Sequence, residues 1–464
     1  MRVADERDGA TDNMVRITAY GGVDEIGGNK ILLEDRDTRV FLDFGEPFGM
    51  TERYFVEWLK PRDRFGLRDY FHFDMIPRIG GLYDQEWLAD TDMKYVPPEF
   101  DAIFLSHMHY DHVWHVRFAD RKIPVHLGSA ANTIRDSWEF TGASVDFGEH
   151  DYRTFRTGSR VKVGSLEVEP IHVDHSVPGA YGFLVHTSEG CVVYTGDLRV
   201  HGPRADMTRE FVAKAAKEKP IAMICEGTRV TDSDKREDLS EKGVEERTKK
   251  LLATHNKLAV VSFYPKDVDR MRTFRDVASA TGRKFVVSAK VARLLESLKG
   301  DKNIKVPDPM KDPNMLVYVR TGMSRPYAFE AYYMDKLGRS DHVVDSKHVA
   351  AHQNQLIFHT DFSQLPELID VNPSPGSLFI RSMSEPFEED DVQDEVLKSW
   401  ISSFSMHFHQ AHASGHANMR EIFSMVKTIA PKTLIPVHTE HASLFKRCGP
   451  NVHCPEPRKA INLR

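Results

Sequence analysis

Long apolar runs are missing from this chain: across 464 residues none approaches the roughly 18–20 that crossing a bilayer demands. The segment Met1–Asn13 is polar and acidic and has no signal-peptide core, so a place in the cytoplasm, and no membrane partner, is expected. Cysteine is scarce: Cys191, Cys225, Cys448 and Cys454 are scattered, and only the last two lie near each other. A zinc knuckle needs two close pairs, so these read as buried or surface thiols, and no disulfide framework is implied. No long stretch is compositionally biased, which argues against extended disorder. What is present, 41% hydrophobic and 28% charged residues with a formal net charge of −7, suits a globular protein with two cores of roughly 200 residues each.

From Val15 to Leu33 short apolar runs surround the turn-forming stretch Gly21–Asn29, and Val40–Asp43 reads as a further strand. Residues 50–100, rich in aromatics and arginine (Tyr54, Phe55, Trp58, Arg62, Arg64, Phe65, Arg68, Tyr70), read as an insertion between strands. Strands are expected at Ala102–Leu105, Arg160–Val168, Tyr181–His186 and Val192–Tyr194. After Ile221–Cys225 the pattern changes. Helix Val244–His255, strand Leu258–Phe263, helix Val268–Thr281, strand Lys284–Ser288 and helix Lys290–Lys299 alternate as a parallel α/β unit does. Strand Ser377–Arg381, helices Glu389–Ser402 and Asn418–Ile429, and strand Leu434–Val437 close the chain. Histidines cluster again there, which suggests a return to the first domain. No internal repeat is found.

The stretch His107-Met108-His109-Tyr110-Asp111-His112 puts four potential ligands into six residues directly after a buried strand. A strand end and the turn after it can aim His107 and His109 one way and Asp111 and His112 another, which suits two metals in one cavity. Burying so many imidazoles and a carboxylate without a cation would be costly. A binuclear centre needs further ligands, one of them shared. His175, on a turn after a strand, and Asp197, at a strand end behind Gly196, stand where a site at strand ends would draw them.

The series Asp43, His107-x-His109-x-Asp111-His112, His175 and Gly196-Asp197 resembles motifs one to four of the metallo-β-lactamase superfamily. That resemblance implies an α/β fold: an αββα sandwich with the metals at one edge. It also implies that His107, His109 and His175 hold one ion, that Asp111 and His112 hold the other, and that Asp197 bridges them. Asp43 would stay outside the ligand set and orient it. Two divalent ions follow, zinc first and manganese as the other choice, because nitrogen and oxygen donors accept both.

Most of that superfamily ends soon after the Gly-Asp motif, whereas this chain inserts about 150 residues of α/β character and comes back. Such a return resembles the β-CASP branch, whose members act on nucleic acids. Glu226 in Cys225-Glu226-Gly227-Thr228, His412-Ala413-Ser414-Gly415-His416 and Pro436-Val437-His438-Thr439-Glu440 are similar to its three further motifs, the second in the form found in the ribonuclease J family. The implied roles are His438 as last ligand to the Asp111 ion, His416 as general acid held by Glu226, and Asp111 as a possible base. His412, Ser414 and the Gly415 backbone would bind a substrate phosphate. Histidine at the third motif, His438, points to RNA, single-stranded, as the partner. The implied domains are 14–228 and 376–464 for the sandwich and 229–375 for the insert.

Residues Arg229–Gly300 carry 17 Lys/Arg against 11 Asp/Glu, an excess of 6 (17 − 11) that a phosphate backbone would favour as much as a solvated helical face would. The stretch Ser262–Arg270 departs from the Phe-Ala-Ser-Asn-like segment of ribonuclease J, and residues 50–100 and 318–362 have no evident counterpart. That family carries a further C-terminal domain supporting its dimer, while this sequence runs only from His441 to Arg464 beyond the last motif, so the oligomeric state stays open. Rival readings are a DNA nuclease or small-molecule hydrolase on the same scaffold, or an inactive nucleic-acid-binding subunit. The histidines of Met406–His409, together with Trp114 and Trp138, read as packing residues. His115, His150 and His441 read as solvent-facing or as supports behind the ligands.

Overall fold

The computed structural model describes residues 14–463 apart from 57–58, 143, 235, 323–324, 385–390 and 450. Met1–Asn13, Trp58 in the aromatic insertion, and Glu389 at the start of an expected helix lie outside the described residues. Three sheets organise the described residues.

In the first, the order is Ala460–Asn462, Arg16–Gly21, Lys30–Asp35, Thr38–Phe44, Ala102–Leu105, Val125–Gly128 and Tyr152–Phe155. In the second it is Leu434–Val437, Ala222–Glu226, Gly190–Tyr194, Tyr181–Thr187, Leu166–His172 and Val161–Val163. Side chains alternate across a strand, so each sheet can offer one apolar face to the other. Val15, Ile17, Ile31, Leu33, Val40 and Leu42 of the first sheet meet Leu166, Val168, Phe183, Val185, Val192 and Ile435 of the second in one buried cluster. Helices Ala205–Lys217 and Met419–Ile429 cover the outer face of the second sheet through Phe211, Ala215, Ile422 and Val426. On the outer face of the first sheet, helix Ser129–Thr141 packs through Ala131, Ile134 and Trp138. The result is an αββα sandwich.

The third sheet is parallel throughout, in the order Val343–Val344, Met315–Tyr318, Lys284–Ser288, Leu356–His359, Ala259–Ser262, Leu378–Arg381 and His407–Gln410. Its helices start on side-chain caps that the sequence supplies. Ser240 accepts from Gly243 N–H, Asp267 from Arg270 N–H, and Ser288 from Val291 N–H. Helix Ala289–Leu298 packs on helix Ser129–Thr141, so one apolar cluster runs from the first sheet into the third.

One expectation needs correction. The return to the sandwich does not fall at residue 376: Leu378–Arg381 and His407–Gln410 pair within the third sheet, and the chain leaves it only after Gln410. An apolar strand carries no mark of which sheet it joins, and the nearby histidines misled the reading. Residues 50–100 lie, as expected, between two strands, Thr38–Phe44 and Ala102–Leu105. Helix Arg68–His72 and the chain around it bring Leu67, Tyr70, Phe71, Ile76 and Tyr83 into the main core.

Candidate metal centre

Strand Ala102–Leu105 delivers the chain to Ser106, whose backbone N–H and hydroxyl both donate to Asp43, at 2.6 and 2.7 Å. Asp43 sits near the end of its own strand with φ of 60°, a left-handed conformation that costs a non-glycine residue energy. Its carboxylate accepts two further bonds, from the Tyr194 hydroxyl at 2.6 Å and from His112 Nδ1 at 2.7 Å. The next residue but one, Gly45, lies against the ligand loop: a Cβ there would stand 1.7 Å from the Asp111 carbonyl oxygen. Glycine is therefore required for the loop to seat.

The protonation pattern follows from donor counting. The Ser106 hydroxyl has one proton and gives it to Asp43, so it can only accept from His107 Nδ1, 3.0 Å away. Thr228 likewise gives its proton to Glu226 at 2.8 Å and accepts from His438 Nδ1 at 2.8 Å. His175 Nδ1 donates to the Gly415 carbonyl at 2.7 Å. Four imidazoles, His107, His112, His175 and His438, thus turn their N–H away from the centre and leave the Nε2 lone pair facing it, the arrangement in which histidine binds metal.

These lone pairs converge with the other donors in two groups. His107 Nε2 and His175 Nε2 lie 3.0 and 3.1 Å from His109 Nδ1. Burial holds His107 and His175 well below the usual histidine range and His109 down to about 3, so the three rings stay neutral. Asp111, His112, Asp197 and His438 form the second group, with donor atoms all within 4.8 Å of one another. His438 Nε2 is 3.0 Å from Asp111 Oδ2. Asp197 Oδ2 lies between the groups, 3.1 Å from His112 Nε2, 3.6 Å from His107 Nε2 and 3.7 Å from His438 Nε2.

Burial opposes charge on His112 and His438, yet Asp197 and Asp111 outweigh it and hold His112 well above and His438 above the ordinary value, so that without a cation a proton takes the Nε2 position that a metal would occupy. Burial would raise Asp197, but His112, His438 and His416 hold it well below. Among the described residues, Asp197 Oδ1 is buried without a hydrogen-bond partner, and His112 Nε2 has only the 3.1 Å approach of Asp197 Oδ2. Orphaned lone pairs that converge on one cavity fit a divalent cation.

His416 stands at the rim, its side chain 21% exposed. Its Nδ1 lies 3.1 Å from Glu226 Oε2 and 3.8 Å from Asp197 Oδ2. Glu226 is itself fixed, since its Oε1 accepts from Leu198 N–H at 2.7 Å. The loop that carries His416 is tied down by two buried arginines. Arg199 reaches Asp174 at 2.9 Å, Asp269 at 3.0 Å, Glu241 at 3.4 Å and the Ser414 carbonyl at 3.4 Å. Arg270 holds both oxygens of Glu241, at 2.9 and 3.0 Å, together with the Ala413 carbonyl at 2.9 Å and Ser382. Burial would raise Glu241, but Arg270 and Arg199 hold it down to about 2. His412 Nδ1 lies 3.2 Å from both Arg270 Nη1 and the Ser382 carbonyl, its Nε2 has no partner, and burial with Arg270 lowers it to about 3. Ser414 Oγ accepts from the His416 N–H at 3.1 Å, and a Cβ on Gly415 would press on Ser176 at 2.9 Å.

Ser106, Tyr194, Thr228, Arg199 and Arg270 were not singled out from the sequence. Their only signal is adjacency: Ser106 precedes His107, Arg199 follows Asp197 by two, and Thr228 and Arg270 lie in stretches noted for other reasons. His115 is not solvent-facing. The 50–100 segment buries it fully against Tyr70, both ring nitrogens lack partners, and burial holds it well below its ordinary value. His150 is half-buried on the Val116 carbonyl at 3.0 Å, while His441 is exposed. Several of the basic side chains in 229–300 are paired, as in Arg229 with Asp234 and Asp238, Arg247 with Glu237, and Arg275 with Asp312, of which only the last pair draws on an acid outside the segment.

With this geometry in view, comparison with known proteins is informative. Residues 83–236 match the beta-lactamase superfamily domain, and residues 403–448 match the Zn-dependent metallo-hydrolase RNA specificity domain. The chain is 24% identical over 357 residues to ribonuclease J of Sinorhizobium meliloti, covering 74% of this chain and 58% of that one. It is 22% identical over 469 residues to ribonuclease J of Helicobacter pylori, covering 97% and 59%. In both matched domains the chain thus resembles the metallo-β-lactamase superfamily, in its β-CASP branch, and is ribonuclease J-like. Ribonuclease J of Mycoplasma pneumoniae is 20% identical over 463 residues, or 94% of this chain and 71% of that one. This ribonuclease J-like chain thus spans just under three fifths of the length of the first two relatives, at 58% and 59%. A solved structure of a protein of unknown function from Enterococcus faecalis V583 shares the fold, with a TM-score of 0.75 at 22% identity, covering 97% of this chain and 100% of that one.

Proposed function

We propose that this chain is a metal-dependent phosphodiesterase that cleaves single-stranded RNA, leaving a 5′-phosphate and a 3′-hydroxyl. One observation supports this above all. Four imidazoles donate their Nδ1–H outward to Asp43, Ser106, Gly415 and Thr228 and turn bare nitrogens onto a shared carboxylate, Asp197. His107, His109 and His175 would hold one divalent ion, and Asp111, His112 and His438 the other, with Asp197 common to both. The set of nitrogen and oxygen donors suits zinc first and manganese as the alternative. Bound there, the ions supply acidification of a water and neutralisation of charge on the phosphate.

The chain's own groups do the rest. Asp111 takes a proton from the attacking water as its oxygen bonds to phosphorus. The bond from phosphorus to the 3′-oxygen breaks, and His416, held by Glu226 through Nδ1, passes a proton from Nε2 to that oxygen. His412, Ser414 and the Gly415 backbone would bind a neighbouring phosphate on the loop that Arg270 and Arg199 hold still.

Purified protein loaded with zinc or manganese should cut 5′-labelled RNA and spare the same sequence as DNA, and the RNA arms should include 5′-monophosphate, 5′-triphosphate and circular forms. Cleavage of DNA at equal rate, or of neither, would sink the RNA reading. Turnover of the circular form would separate internal cutting from attack at an end.

A further inference from the structure

Lys266 is fully buried, in the segment that follows the third-sheet strand Ala259–Ser262, and among the described residues it forms no salt bridge, Asp111 being the carboxylate whose charge reaches it. Burying an ammonium without a counter-ion is unfavourable unless something specific receives it. Here Nζ donates to the Met108 carbonyl at 2.9 Å and stands 4.4 Å from the Tyr110 ring, 4.6 Å from Trp138 and 5.6 Å from Tyr264. Met108 and Tyr110 flank His109 in the ligand loop, and the Tyr264 ring packs on His109 itself, 5.6 Å between centroids. The lysine thus grips both sides of one ligand from a sheet that contributes no ligand. Burial, with Lys290 beside it, lowers Lys266 to about 7, and in either protonation state an N–H reaches the carbonyl.

We propose that Lys266 is a positioning residue that holds the His107–His112 loop in its metal-binding conformation, so that the third sheet sets the metal affinity of the sandwich. The proposal rests on reading His107, His109 and Asp111 as ligands. It also gives a purpose to the stretch Ser262–Arg270, where this sequence departs from the pattern it otherwise resembles.

The test uses the full-length protein stripped of metal and titrated with Co2+, whose visible d–d bands report ligand geometry, and with Zn2+ against a chromophoric chelator. Lys266→Met should weaken both ions about tenfold or more, the range expected when a group supporting a ligand is removed. Its cobalt bands should change in shape, and kcat should fall with KM for a short RNA altered less than about twofold. Lys266→Arg, which keeps a donor and a charge, should recover part of the affinity. Wild-type bands and affinities in a folded Lys266→Met protein overturn the proposal. Should that variant fail to purify folded, Trp138→Leu removes the ring beside the ammonium, and the same two outcomes decide. Failure of the wild type to bind Co2+ or Zn2+ would instead bring down the metal-centre reading on which this one stands.

Discussion

Two buried groups of charged and polar side chains lie next to each other here, and they are built on opposite plans. Around Arg199 and Arg270 each buried arginine has its answer: Glu241 receives both, Asp174 and Asp269 receive Arg199, and the remaining N–H groups go to Ser382 and to the carbonyls of residues 413 and 414. Around Asp197 the reverse holds, with lone pairs aimed at one another and Asp197 Oδ1 left unanswered. The first group is complete within the chain, while the second is complete only with something positive from outside. A buried polar cluster is thus a candidate ligand site when its donors and acceptors do not balance, and a structural clamp when they do.

That contrast can be broken at either end. The largest effect is expected from Asp197→Asn, which removes the carboxylate shared by both ligand groups. RNA cleavage should vanish and metal content measured by mass spectrometry should fall below that of the wild type, whereas full turnover with a full metal complement would refute the assignment. His416→Ala should keep the metal complement and slow the chemical step by roughly 10²–10⁴-fold, seen in single-turnover assays. On the balanced side, Arg270→Met leaves Glu241 with Arg199 and the Thr273 hydroxyl and frees the Ala413 carbonyl. It should cost about 3–5 kcal/mol in denaturant unfolding and raise KM for RNA while metal content stays unchanged.

The smallest effect concerns pH. Burial, against Arg270 and with Glu241, pushes Asp267 up to about 7 from an ordinary 3.8. A carboxyl raised in the fold costs stability as pH climbs from 3.8 through 7, and costs nothing below both values. Asp267→Asn, which preserves an N-cap for helix Val268–Ala280, should therefore stabilise the protein by at least about 1 kcal/mol at pH 8 and not at all near pH 4. Equal gains at the two values would show that the carboxyl is charged in the fold.

How much of this was legible beforehand depended on how local each feature is. His107, His109, Asp111 and His112 announce themselves because one strand end carries them all, and the alternation of strand and helix after residue 241 exposed the parallel unit. Arg199, Arg270 and Lys266 were invisible as actors, since an isolated Arg or Lys in a sequence reads as surface and only a long-range contact says otherwise. The sheet membership of Leu378–Arg381 was lost for the same reason: which neighbour a strand takes is decided by topology, not by its own residues. His115 misled through its polarity, because the aromatics that cover it belong to residues 50–100, whose packing the sequence left unread.

His175 donates to Gly415, and Asp111 meets His438, across separations of 240 and 327 residues. Under the function proposed above, a polypeptide still being synthesised has every ligand but His438 and lacks His416, the group that would protonate the leaving oxygen. Competence arrives only when the last stretch folds home, so the molecule comes with its own safeguard against premature attack on the message that encodes it.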